Sequence, residues 1–182
     1  MILVVTIYRI GLSLILGALY LVVRALIVAY VKYRGARLVT CPENKKPAGV
    51  EVNTLHAAFQ GTLRVPHLRL KECTRWPERR DCGQMCLAQI EAAAEDCLVR
   101  NILTKWYAGK DCAYCGKPLG DIHWTDHKPA LMNPEGTTVE WDEVRPEKVP
   151  DVLATHRAVC WNCHMNETFR RKFPELVVDR ER

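Results

Sequence analysis

Hydrophobic and polar positions divide this chain sharply near residue 32. From Ile2 to Val31 nearly every residue is apolar. A helix of that length extends about 45 Å, more than the ~30 Å hydrocarbon core of a bilayer requires. Arg9 and Arg24 interrupt the run. They lie about 22 Å apart along the axis, so each can snorkel to an opposite interface, with Tyr30 and Tyr33 at interfacial depth. No positive stretch precedes the apolar run and no small-residue cleavage site follows it, so it reads as a retained anchor rather than a secretory signal. Ser13 and Gly17 form a small-xxx-small pair, and the two arginines fall on neighbouring faces, a pattern suited to docking against another membrane helix.

Beyond the anchor the pattern changes to that of a small mixed domain. Residues 38–48 are polar and turn-rich, a linker carrying Cys41. Alternation predicts strands over Gly49–Leu55 and Leu63–Lys71, the second weakened by Pro66. Leu87, Ile90, Ala94, Cys97, Leu98, Ile102 and Trp106 repeat at helical spacing, predicting one helix from Leu87 to Tyr107 with Gly109 past its end. Cys97, on that apolar face, reads as a small buried hydrophobe. A second unit begins near Asp111: a knuckle at 112–119, a hairpin through Ile122–His127, a polar loop, and a helix from Cys160 to about Phe173 before Pro174. The expected fold class is a single N-terminal transmembrane helix followed by a small α+β metal-stapled domain, treble-clef or zinc-ribbon-like. Its expected organisation is 1–37 anchor and basic juxtamembrane segment, 38–109 Cys-containing strand/helix unit, and 110–182 zinc-binding unit.

Charge refines the picture. All 21 acidic residues and 21 of the 26 Lys and Arg residues follow residue 37, so this part is formally neutral. The net +5 comes from Arg9, Arg24, Lys32, Arg34 and Arg37. A neutral domain exerts no general pull on phosphates, which argues against a nucleic-acid partner. Lys32, Arg34, Arg37, Lys45 and Lys46 follow the helix while little positive charge precedes it, so the domain is expected to face the cytoplasm. Thiols persist there as metal ligands.

The nine cysteines supply the candidate chemistry. Cys112-x2-Cys115 and Cys160-x2-Cys163 have the gap that lets one knuckle present two thiolates to a tetrahedral ion, and four thiolates make a closed, structural zinc site. Cys41, Cys73, Cys82 and Cys86 are candidates for a second four-thiolate site. It would hold zinc or, since four cysteines also ligate it, an iron–sulfur cluster. Two zinc ions are therefore expected. The run Cys160-Trp161-Asn162-Cys163-His164 also satisfies C-x-x-C-H, the c-type haem attachment motif, a reading that requires an oxidising compartment.

Taken together, Cys112, Cys115 and Gly116, then Asp126-His127 and Pro129, then Cys160, Cys163 and His164 resemble the zinc-stapled HNH endonucleases and the wider treble-clef fold. The resemblance covers less than half the chain. It implies His127 as general base, with Asp126 and His164 holding a catalytic divalent metal. The chain departs from that family's pattern where Ala154-Thr155-His156-Arg157 replaces the central Asn, and where Met165-Asn166-Glu167-Thr168 replaces a commonly following Lys. The expectation is a treble-clef scaffold without nuclease chemistry, in which His127 orients a loop. His56, His67 and His123 read as surface or strand residues, and Trp76, Trp124, Trp141 and Trp161 as core or interface anchors. The function these features suggest is a non-catalytic accessory subunit of a membrane complex, with the bilayer and integral membrane subunits as partners. The alternative is a metal-dependent enzyme or electron carrier: an HNH-like nuclease, a haem protein or an iron–sulfur protein.

Overall fold

The apolar run forms a single helix, α1 (Ile2–Tyr33), in the computed structural model, which describes residues 2–61, 68–79 and 81–176. Its Thr6–Tyr33 stretch of 28 residues is long and apolar enough to cross a membrane. Apolar side chains such as Leu14 and Ile15 stand exposed along it. Its last turn enters the folded part of the chain: Tyr33 is buried with Ala57 in one core.

The chain divides into two compact units, 1–97 and 98–182. In the first, β1 (Arg37–Thr40), β2 (Pro47–Val52) and β3 (Leu70–Cys73) form an antiparallel sheet in that order. Leu38 opposes Gly49 and Val50 opposes Cys73, with a bulge at Glu51/Val52. The expected linker over 38–48 is thus a β-hairpin. Lys45 takes φ 57° at its turn, where the backbone N–H groups of Cys41 and Lys45 close the loop onto the carbonyls of Lys46 and Cys41. A short helix, α2 (Thr54–Gly61), follows β2 where the expected strand would have continued. The Asn53 side chain accepts the His56 backbone N–H at 3.0 Å, an Asx-type start that outcompetes the strand pattern. Most of the second expected strand lies outside the described residues; its end forms β3. Val39, Val50, Val52, Leu70 and Ile90 bury together as the core.

The single helix expected over 87–107 is two: α3 (Leu87–Ala92) and α4 (Val99–Tyr107). Tertiary contacts break it. The Arg37 guanidinium donates to the carbonyl of Ala94, and the Leu38 N–H donates to that of Cys97 at 2.8 Å. Those carbonyls would otherwise accept helical N–H groups one turn on. Arg37 also donates to the Lys32 carbonyl and is fully buried. Hence it pins the end of α1 to the sheet and is not the free interfacial charge its position suggested. Cys97 packs at the edge of the core.

In the second unit β4 (Ala130–Met132) pairs with β5 (Thr138–Val139) on one side and with β6 (Arg157–Val159) on the other, all antiparallel. The hairpin therefore lies over 130–139, within the expected polar loop, whereas residues 122–127 form turns and loop. Asn133 sets it: its side chain accepts the Thr137 N–H and its carbonyl that of Gly136, which turns at φ 84°. α5 (Val149–Thr155) precedes β6, and α6 (Trp161–Lys172) follows it and ends before Pro174. Tyr107 fastens α4 to the sheet: buried, it donates to the Ala130 carbonyl at 2.7 Å and accepts from Trp141 Nε1 at 3.0 Å.

Candidate metal centre

Two local structures place the C-terminal thiols. The first is a knuckle closed by an isolated bridge between Asp111 and Pro118. Within it the Cys112 N–H donates to the Lys117 carbonyl, and the Gly116 N–H to the Cys112 carbonyl, both at 2.9 Å. The tight reversal puts Gly116 at φ 66°, where a side chain would be strained. Ala113 N–H donates to the Ala158 carbonyl of β6, and the Tyr114 hydroxyl to the Gly136 carbonyl of the hairpin turn, which hold the knuckle against the sheet. The second is the entry to α6. Cys160 is its extended N-cap residue and Cys163 sits in its first turn. The unpaired N–H groups and positive dipole end of the helix favour thiolate there.

The sulfurs of Cys112, Cys115, Cys160 and Cys163 all lie within 4.8 Å of one another. Among the described residues this is the one such group of His, Cys, Asp or Glu side chains. The Cys115 and Cys160 sulfurs stand 3.9 Å apart. A tetrahedral ion with metal–sulfur bonds near 2.3 Å sets its sulfurs about 3.8 Å apart, so the quartet is close enough to hold one metal ion. Cys112 is buried beneath the other three, against Ala130 and Val159.

Protons and charge follow the geometry. Burial pushes the Cys112 thiol up, but the backbone N–H groups of Cys160, Cys115 and Tyr114 outweigh it and bring it to about 6. One such contact is Cys160 N–H to Cys112 Sγ at 3.3 Å. Cys160 and Cys163 go the other way, each raised first by burial; the neighbouring sulfurs raise Cys163 further, whereas the Cys163 N–H and sulfur work against the rise at Cys160. Sulfur beside sulfur thus works against a further thiolate at Cys163. A bound cation would remove that conflict by supplying the charge the further thiolates need.

The residues tied to nuclease or haem chemistry are distributed differently. Asp126 accepts the His127 backbone N–H at 2.9 Å and lies 3.1 Å from His127 Nδ1; these contacts hold its carboxyl below the usual range. The pair is exposed, beside an open hollow lined by His123, His127 and Trp161. His164 is instead buried, with Nε2 3.2 Å from Glu140 Oε1. The Trp161 ring meets both imidazoles, at 6.2 Å from that of His127 and 6.0 Å from that of His164. Glu140 engages His164 Nε2 alone, and His164 Nδ1 is buried without a hydrogen-bond partner. Glu140 carried no recognisable signal in the sequence, because its partner is 24 residues away and on another element.

Cys41, Cys73, Cys82 and Cys86 come from three separated segments, yet all line one cavity in the first unit, more loosely than the C-terminal quartet. Compared with protein-family models, curated proteins and solved structures, the chain matches none.

Proposed function

We propose that this chain is a membrane-anchored, non-catalytic accessory subunit of a membrane protein complex, its C-terminal unit stapled by zinc in a treble-clef arrangement and facing the cytoplasm. The observation that carries the reading is the closed C-terminal quartet. Four sulfurs surround one ion position and leave no coordination site for water or substrate, the signature of a structural rather than a catalytic ion. Knuckle, β4–β5 hairpin and Cys160-capped α6 follow in treble-clef order. The buried clusters of this unit are small, and metal binding there would supply folding free energy that so little core cannot. Anchoring follows from α1, whose apolar faces are unpartnered along most of its length.

The test is metal analysis on full-length protein purified in mild detergent. The C-terminal unit should hold one zinc, and Cys112→Ser or Cys160→Ser should lose that zinc and unfold the unit. Native stability with full zinc content in either variant would remove the site. Co-purification of other integral membrane subunits is expected from native membranes.

A second reading, an HNH-like nuclease, draws on the Asp126–His127 pair at its open hollow. Against it stand the missing Asn and the engagement of His164 by Glu140. With Mg²⁺, Mn²⁺ or Ni²⁺ the protein should leave plasmid DNA intact; nicking abolished by His127→Ala would favour the nuclease.

A further inference from the structure

Five cysteines fall in the first unit, and four of them meet at one place. Cys41 follows β1, Cys73 ends β3, and Cys82 and Cys86 occupy the loop entering α3. Positions 41 and 73 are brought together by the sheet, in which β1 and β3 flank β2. The loop is turned toward them by Gln84, which takes φ 52° between its two cysteines. The Gln84 side chain accepts the Leu70 N–H at 3.0 Å, and its carbonyl accepts the Leu87 N–H, so the turn is fixed at both ends. The result is a cavity of about 40 Å³ whose walls include all four thiols. That is room for more than a single water, and its other walls include Val39 and Ala48 on one hand and Arg75 and Arg79 on the other.

Buried cysteines often serve as small hydrophobes, and Cys97 at the core edge does so here. The quartet does not fit that role, because cations stand over it. Arg75 Nη1 lies 2.8 Å from Cys41 Sγ and donates to it. Glu43 links that arginine to a second, at 3.3 Å from Arg75 and 3.6 Å from Arg79, and both arginines line the same cavity. A guanidinium directed at sulfur matches a thiolate rather than a neutral thiol. Four thiolates around a divalent ion or an iron–sulfur cluster carry net negative charge, which Arg75 would offset in part, while Arg79 is shared between Glu43 and Asp81.

We propose that Cys41, Cys73, Cys82 and Cys86 hold a second thiolate-bound metal centre, with Arg75 as its outer hydrogen-bond donor. A divalent ion entering would displace up to four thiol protons to solvent, with no change of oxidation state. The assignment is independent of the membrane partner and of the C-terminal zinc, since no residue is shared. A single zinc ion and an iron–sulfur cluster use the same four thiolates, and the measurement separates them. A colourless protein with a second zinc marks the ion, whereas visible absorption with iron and acid-labile sulfide marks the cluster.

The experiment uses full-length protein in detergent, prepared without oxygen. Metal and sulfide per chain would be measured for the native sequence, Cys73→Ser, Cys86→Ser, Arg75→Leu, Arg75→Lys and, as reference, Cys160→Ser. Cys73→Ser and Cys86→Ser should each lose one centre and keep the C-terminal zinc, the converse of Cys160→Ser. Arg75→Leu should weaken retention against a chelator about 10- to 100-fold, and Arg75→Lys less. Unchanged metal content in both cysteine variants would overturn the proposal. Where those variants do not fold, alkylation of the native protein decides. Protection of all four thiols until a chelator is added supports the centre; immediate labelling, or two disulfides within the quartet, overturns it.

Discussion

Tyr107 shows how much one side chain carries in a unit with so small a core. Its hydroxyl stands between the Ala130 carbonyl and the Trp141 indole, and its ring meets those of Trp106 and Trp141 edge-on at 4.8 and 6.0 Å. Tyr107→Phe keeps the ring but leaves a buried carbonyl and a buried N–H unpaired, which should cost about 1–3 kcal/mol in thermal or urea melts. Burial also pushes the phenol well above its ordinary range, against the Trp141 hydrogen bond. A raised native value leaves stability intact below the unfolded phenol's pKa of about 10. Stability then falls as pH rises further, because only the unfolded chain ionises. Melts between pH 8 and 11 should show that decline in the native sequence and a shallower one in Tyr107→Phe. Equal slopes would remove Tyr107 as its source.

Among the elements, α1 makes the most specific claim on a partner. Nothing lies within 4 Å of a Cβ built on Gly17, so Gly17→Leu meets no obstacle inside the chain and gains helix propensity. Within a docked helix pair the same change would push two backbones apart. The expected outcome is weaker association in native membranes, with unchanged metal content and unchanged melting of the purified chain. Wild-type co-purification by Gly17→Leu and Arg24→Leu would take away the helix-docking basis for a subunit. The long helix expected over 87–107 carries another lesson at this scale. Its first half kept the expected face, with Ile90 and Ala94 buried, but two carbonyls captured by Arg37 and Leu38 divided it, and beyond the break Leu103 and Tyr107 are buried where Ile102 and Trp106 were expected.

At the scale of the whole molecule, the proposed anchoring carries a prediction about topology. With Arg37 buried, the positive-inside argument rests on Lys32, Arg34, Lys45 and Lys46, at and beyond the end of the helix. A C-terminal reporter active only outside the cytoplasm should therefore be silent. Activity would reverse the topology and turn the second quartet toward disulfide chemistry.

The apolar run, the two C-x-x-C pairs and the stop before Pro174 were legible in the sequence, because each is a local pattern: length and hydropathy for α1, thiolate spacing for the knuckles, a blocked N–H for the helix end. Of the first-unit cysteines only the Cys82-x3-Cys86 gap was a local signal; strand pairing brought positions 41 and 73 to the same cavity. Tertiary structure decided the rest. It turned the 38–48 linker into a hairpin, moved the second hairpin from 122–127 to 130–139, and assigned His164 to Glu140 and Arg37 to the carbonyls of Lys32 and Ala94. These outcomes depend on which buried polar groups find partners across tens of residues, and no periodicity within a single segment encodes that pairing.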